Sequence, residues 1–328
     1  MSKTAIGVLL ILATFSGCRE RTLTPDRRTP LRIGLVTWIG YGPLYIAKEK
    51  KFFEEQGIDV DLQRIEGDVE RRAAIASGNL DGIALTLDAM IVLRSRGIPL
   101  RTVMAIDASN GGDGIVAVPE IRGIDELKGR QIAFPTGLPS HFLLYTVLKS
   151  RNLRMADVKP VVMDADQAGA AFASGKIDAA VTWEPWLSKA SEIGKGHVLA
   201  TSREFPETIE DVLFMREDVI AKRPRDVDGL IKAWYKAVAY VSEHPAESKA
   251  IMGRAFGLAP ERVDKLLAGI RYEGEEGNKT AFGTGGSRGF LYPMYERISD
   301  AWMAERVIEK RDAPDRGIDP DFVRSLTR

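Results

Sequence analysis

Two sets of residues in this chain are suited to holding a small molecule. Trp38, Tyr41, Trp183 and Trp186 offer flat aromatic faces. Such faces attract a cation by about 0.5–2 kcal/mol where water is thinned out. Asp88, Asp107, Asp113 and Glu184 offer carboxylates, each falling just after a predicted strand. Ser140 and His141 follow Gly137 and Pro139, where a helix is expected to begin. Free N–H groups and the dipole at a helix start favour an anion or carboxylate. The rival reading makes Ser140 an ordinary N-cap, His141 a surface histidine and the aspartates caps and turn braces. Covalent chemistry finds little support, because no nucleophile and base stand at a telling spacing. One cysteine and three histidines, none in an H-x-x-x-H pair, leave no metal cluster to build. No cofactor is called for. With 46 basic and 46 acidic side chains the net charge is zero, so no nucleic-acid partner is expected either.

The elements that must position these groups alternate between short apolar runs and helical stretches, the grammar of an α/β fold. Strands are predicted at 32–38, 59–65, 82–87 and 100–106, then at 131–135, 158–163, 179–183, 197–201 and 212–215. Pro43 opens a helix expected to run to Gln56. Trp234 and Trp302 sit on helical stripes and are assigned to the core. Residues 73–82 (AAIASGNLDG) are echoed at 170–179 (AAFASGKIDA), each reading as helix, glycine stop, aspartate and buried strand. The echo implies two similar α/β lobes.

Ligands of open α/β sheets sit outside the carboxyl ends of the strands. Two facing lobes would therefore carry Trp38, Tyr41 and Asp88 on one wall and Ser140, His141, Trp183, Glu184 and Trp186 on the other. Asp107 and Asp113 are expected at the ends of a polar loop leading to the second lobe. In such a cleft two like charges ~4 Å apart cost ~4 kcal/mol at an effective dielectric of ~20. A purely anionic solute would meet that repulsion, whereas a cationic or zwitterionic one would be anchored. The expected ligand is a small nitrogen- or sulfur-containing solute, either taurine- or sulfonate-like or an amine or guanidinium compound, with the nitrogen-bearing ones favoured by the carboxylates.

The N-terminus carries a separate signal. Lys3 precedes an apolar run from Ala5 to Phe15, too short to span a bilayer and about right for a signal peptide. Phe15-Ser16-Gly17-Cys18 resembles a bacterial lipobox, with Phe15 where leucine is usual. Residues 1–17 are read as a lipoprotein signal peptide, Cys18 as the lipidated residue and 18–30 as a tether. The protein is thus expected to be exported and anchored to a membrane through Cys18.

The run Trp38-Ile39-Gly40-Tyr41-Gly42-Pro43 through Phe52-Phe53 resembles the opening of the nitrate/sulfonate/taurine group of ABC-importer substrate-binding proteins. Ser77-Gly78-Asn79-Leu80-Asp81, Leu127-Lys128-Gly129-Arg130, Ser174-Gly175-Lys176-Ile177-Asp178 and Trp183-Glu184-Pro185-Trp186 are similar to its later landmarks in order. The resemblance implies the bilobal, type II periplasmic-binding-protein fold, with two mixed-sheet lobes joined by a two-crossing hinge. The lobes would comprise 31–113 plus 214–328 and 114–213, with crossings near Gly114–Val118 and Ile209–Leu213. It further implies a monomer that delivers its ligand to a permease driven by a separate ATPase. In that group the Ser140–His141 loop often holds an oxyanion. Two alternatives stay open: a sensory ligand-binding module, and an enzyme on the same fold. The pyrimidine synthase similar to this group needs a cysteine-rich run that is absent here, and menaquinone-pathway enzymes fit poorly with a lipid anchor.

Overall fold

The apolar runs Gly82–Thr86, Asp113–Ala117 and Ala179–Trp183 are buried along their whole length, the pattern of inner strands covered on both faces. In the computed structural model, which describes residues 29–325, the strands are β1 (Leu31–Leu35), β2 (Val60–Arg64), β3 (Gly82–Thr86), β4 (Leu100–Ser109), β5 (Asp113–Ala117), β6 (Gln131–Phe134), β7 (Lys159–Val162), β8 (Ala179–Trp183), β9 (His197–Thr201), β10 (Glu210–Arg216) and β11 (Ile270–Tyr272). They form two sheets, ordered β11-β4-β10-β3-β1-β2 and β7-β6-β8-β5-β9. The signal peptide, Cys18 and nearly all of the tether lie outside the described residues.

The two sheets share one plan. In the first, β1 pairs in parallel with β2 and β3, and β10 runs antiparallel beside β3. In the second, β6 pairs in parallel with β7 and β8, and β5 runs antiparallel beside β8. The sequence echo falls on matching parts of this plan, the helix Asp68–Ala76 leading to β3 and the helix Ala165–Ala173 leading to β8. Even the echoed aspartates do the same work. Asp81 accepts the backbone N–H of Arg32 at the edge of β1, and Asp178 accepts that of Gln131 at the start of β6. Each spares a strand-end donor from going unpaired.

The strand that completes each sheet arrives from the other lobe. The chain passes from β4 to β5 through residues 110–112 and returns to β10 after Thr201. Gly111, at φ +111°, makes the first crossing with a backbone that side-chain-bearing residues rarely adopt. Gly114–Ala117 of the expected first crossing belong to β5, and Glu210–Leu213 of the second belong to β10.

Three further details differ from expectation. β4 continues through Ser109, because β10 pairs with it as far as Ala108 and β11 as far as Ser109; Asp107 is therefore a strand residue, and Asp113 heads β5 rather than closing a loop. The helix from Pro43 breaks at Lys51, φ +62°, into Gly42–Glu49 and Phe52–Glu55. The helix Pro260–Leu267 stops short of Ile270, which begins β11.

The second sheet separates its core by face. Ile115, Ile132, Phe134 and Val181 pack on one side, while Val116, Ala133 and Ala180 pack against the helices Ala165–Ala173 and Trp186–Gly194 on the other. The first lobe's core is larger and reaches across the cleft to Leu138, Phe142 and Trp183. Trp234 and Trp302 are fully buried in it, as their helical spacing predicts.

Candidate functional site

The site is built at the carboxyl ends of β3 and β8, where the two lobes meet. Thr86 ends β3 and lies opposite Asp211 of β10; Trp183 ends β8 and lies opposite Asp113 of β5. These four residues, with Trp38, Tyr41 and Pro139, line a cavity of about 20 Å³. That is room for about one water molecule. The lobes are thus shut in this form. Outside the cavity a wider space of about 710 Å³ lies between Arg64, Glu66 and Arg262 of the first lobe and Asp166, Trp186 and Lys189 of the second. Trp183 donates its indole N–H to Thr37 O, 3.1 Å away across the cleft. At the rim Arg262 pairs with Glu192 at 2.9 Å, again between lobes.

Trp38 follows β1 in extended conformation, and its indole N–H is shared between the two oxygens of Asp107 at 3.1 and 3.2 Å. Two glycines let the ring sit there. A Cβ on Gly40 would lie 2.1 Å from Asp107 Oδ2, and one on Gly112 would lie 2.4 Å from Trp38 Cη2. Tyr41, fully buried at the end of a short turn of helix, donates its hydroxyl to Asp211.

The acids dominate the electrostatics. Asp88, Asp107, Asp113, Asp211 and Glu210 are all nearly fully buried. Burial pushes the carboxyls of Asp88 and Asp113 up to about 7, with the charge of Asp88 adding to the rise at Asp113. Burial raises Asp107 and Asp211 well above the usual carboxylate range, and mutual repulsion within the group adds to it. Glu210 is raised in the same way. The guanidinium of Arg71 lies within reach of Tyr41 but is already committed, to Ile65 O at 2.9 Å, Glu66 O at 3.1 Å and Asp68. A cavity walled by aromatic rings and crowded, buried carboxyls that only neutral donors reach is disposed to take a positive charge.

The residues singled out from sequence divide accordingly. Trp38, Tyr41, Asp113 and Trp183 line the cavity. Asp107 stands behind Trp38. Asp88, the second residue of the helix Leu87–Ser95, adds its charge from just beyond the wall, and its Oδ2 is buried without a hydrogen-bond partner. Trp186 lines the outer space, with Lys189 Nζ 5.7 Å from its ring centre. Glu184 turns away to accept from the N–H and hydroxyl of Ser188.

Ser140 and His141 take neither of the roles weighed for them as rivals. The helix Pro139–Lys149 begins after Leu138 with no side-chain cap, and Ser140 Oγ is buried and unpaired. His141 is 6% exposed, between the rings of Phe134 and Trp302 at 5.2 and 5.0 Å. Its Nδ1 accepts from Gly137 N–H, and burial pushes its pKa down to about 4, so the ring is neutral. It packs the lobes together beside the cavity rather than facing into it.

Sequence reasoning missed Asp211 and Thr86. The expected second crossing at Ile209–Leu213 did contain Asp211. Only the register of β10 against β3 brings it to the cavity.

The comparisons with known proteins agree with this architecture. The sequence profile of the NMT1-like family matches residues 24–255. A Brucella abortus protein named as a binding protein, with no ligand in its name, is 27% identical over 76% of both chains. The taurine-binding periplasmic protein of Escherichia coli K12 is 25% identical over 68% of this chain and 72% of its own. The alkanesulfonate-binding protein SsuA of Xanthomonas axonopodis pv. citri, solved with MOPS bound, superposes with a TM-score of 0.73 at 21% identity, covering 88% of this chain and 98% of that one. These relatives are binding proteins rather than enzymes. The lobe plan, the cleft at the strand ends and the profile match converge: the chain belongs to the NMT1-like family.

Proposed function

We propose that this protein is the extracytoplasmic substrate-binding component of an ABC importer, capturing a small nitrogen-bearing solute by closing its two lobes and delivering it to a permease. The lobes are taken as 31–113 plus 214–328 and 114–213, except that at the crossings Asp113 goes with β5 in the second lobe and Glu210–Leu213 with β10 in the first. Cys18 would carry the lipid anchor, and the chain would act as a monomer beside a permease and a separate ATPase. The observation that carries this reading is the position of the cavity, between the lobes and at the ends of β3 and β8, with each lobe supplying one aromatic wall and one carboxyl. The similarity to taurine- and alkanesulfonate-binding proteins supports the transport class.

Closure supplies both affinity and signal. A solute touching both walls binds the shut form more tightly than the open one and shifts the population toward it. A permease can then recognise the shut outline. A thermal-shift screen of small amines, guanidinium compounds, taurine and sulfonates tests the reading, since a ligand held only by the folded state raises Tm. A concentration-dependent rise with a nitrogen compound is expected. Rises confined to nitrate or simple sulfonates would contradict the solute class.

A further inference from the structure

Asp113 and Asp211 occupy equivalent places in the two lobes. Each stands at or next to the head of the antiparallel strand that enters its sheet from the other lobe. Each lies opposite the last residue of the echoed strand, Trp183 for Asp113 and Thr86 for Asp211. The two halves of this internal symmetry meet at one cavity, which all four residues line. Sequence reasoning placed Asp113 near the cleft and overlooked Asp211, so the pairing is visible only in three dimensions.

The pairing has a consequence for closure. Swinging the lobes together brings two acids, 3% and 4% exposed, to opposite sides of one small space. Asp107 and Asp88 stand behind them, and burial together with repulsion within the group favours the protonated carboxyls while no positive charge is present. The Tyr41 hydroxyl satisfies one oxygen of Asp211, and Arg71 is spent on Asp68 and backbone carbonyls. The buried Asp88 carboxyl has only the neutral Thr86 hydroxyl and the backbone N–H groups of Asp88 and Ala89 near it, and no cation. A solute that brings positive charge lets these carboxyls ionise against it, whereas a sulfonate or nitrate group adds a further negative charge beside them.

We propose that Asp113 and Asp211, one from each lobe, are the specificity-determining pair, and that the cleft closes on a solute that places a positively charged nitrogen between them. This rests on the binding-protein reading above and names the chemical class of its solute. Small cations with several N–H donors, of the guanidinium or alkylammonium type, match the two aromatic walls and the acid pair in chemistry, and they require the lobes to close less far than the one-water cavity of this form.

The test is titration calorimetry of the full mature chain with guanidinium, methylguanidinium and ethylammonium chlorides, and with sodium ethanesulfonate. It compares wild type with Asp113→Asn, Asp211→Asn and the double variant. Wild type is expected to bind at least one cation, and each single variant to bind it more weakly by on the order of 10–100-fold. The double variant should bind no cation measurably. Replacing a buried acid by its amide removes an unfavourable charge, so the variants are expected to fold, and their ligand-free Tm checks that they do. Unchanged cation affinity in both single variants would overturn the pairing while leaving the binding-protein reading intact. Wild type that takes ethanesulfonate and none of the cations would overturn the solute class itself.

Discussion

Asp88→Asn is expected to make the ligand-free protein more stable at pH 8, by about 3–4 kcal/mol. The carboxyl of Asp88 is fully buried and pushed up to about 7, and its Oδ2 has no hydrogen-bond partner. In the unfolded chain the same group titrates near 4. Between these values the folded state holds a proton that the unfolded state has lost, so stability falls as pH rises from about 4 to about 7 and then levels off. Asparagine carries no such penalty. The gain should therefore be full above pH 7 and vanish below pH 4, as read from urea unfolding at a series of pH values. A gain that does not change with pH would show that charge is not its origin. The same substitution also removes the charge of Asp88 from Asp113 and Asp211, so it should weaken cation capture. Stability held back at a binding site is a familiar exchange.

Trp38→Ala has the opposite sign. The indole is 3% exposed, lies against Gly112 at the lobe crossing and gives its N–H to Asp107. Removing it leaves a cavity and a buried carboxyl without its donor. The expected loss is about 3–5 kcal/mol, with binding abolished. In urea the midpoint should fall with the slope unchanged. Trp38→Phe keeps a ring in place and should recover part of the stability without restoring the bond to Asp107. Wild-type stability in Trp38→Ala would mean that the ring does not brace the cleft.

Much of this fold could be read along the chain because its signals are local. Glycine stops, helical stripes and apolar runs are set by residues a few positions apart, and the echo of residues 73–82 at 170–179 corresponds to matching helix–strand units down to the work of Asp81 and Asp178. What escaped was set by partners far away in sequence. β4 runs on through Asp107 because β10 and β11 pair with it, and nothing near Asp107 announces those neighbours. Asp211 reaches the cavity through its register opposite Thr86. His141 was legible as a residue at a helix start but not as a ring held between Phe134 and Trp302, since Trp302 comes from the far end of the chain. The aromatic residues were easier to place. Trp38 and Trp183 each follow or end a strand, and strand ends in this class of fold open onto the cleft.

A family with sulfonate-binding relatives can include a cleft of this kind. The shared features are the sheets, the crossings and the meeting of strand ends. The charge inside is carried by a few side chains, and Asp113 and Asp211 are held by backbone register whatever ligand the cleft takes. Fold and solute are thus separable properties.

The most direct measurement is titration calorimetry of the wild-type protein at pH 8 with guanidinium, taurine, an alkanesulfonate and nitrate under one salt condition. Saturable binding of a nitrogen-bearing solute is expected, ranked above the alkanesulfonate and with nitrate silent. Tight nitrate or alkanesulfonate binding with no response to either nitrogen compound would contradict it.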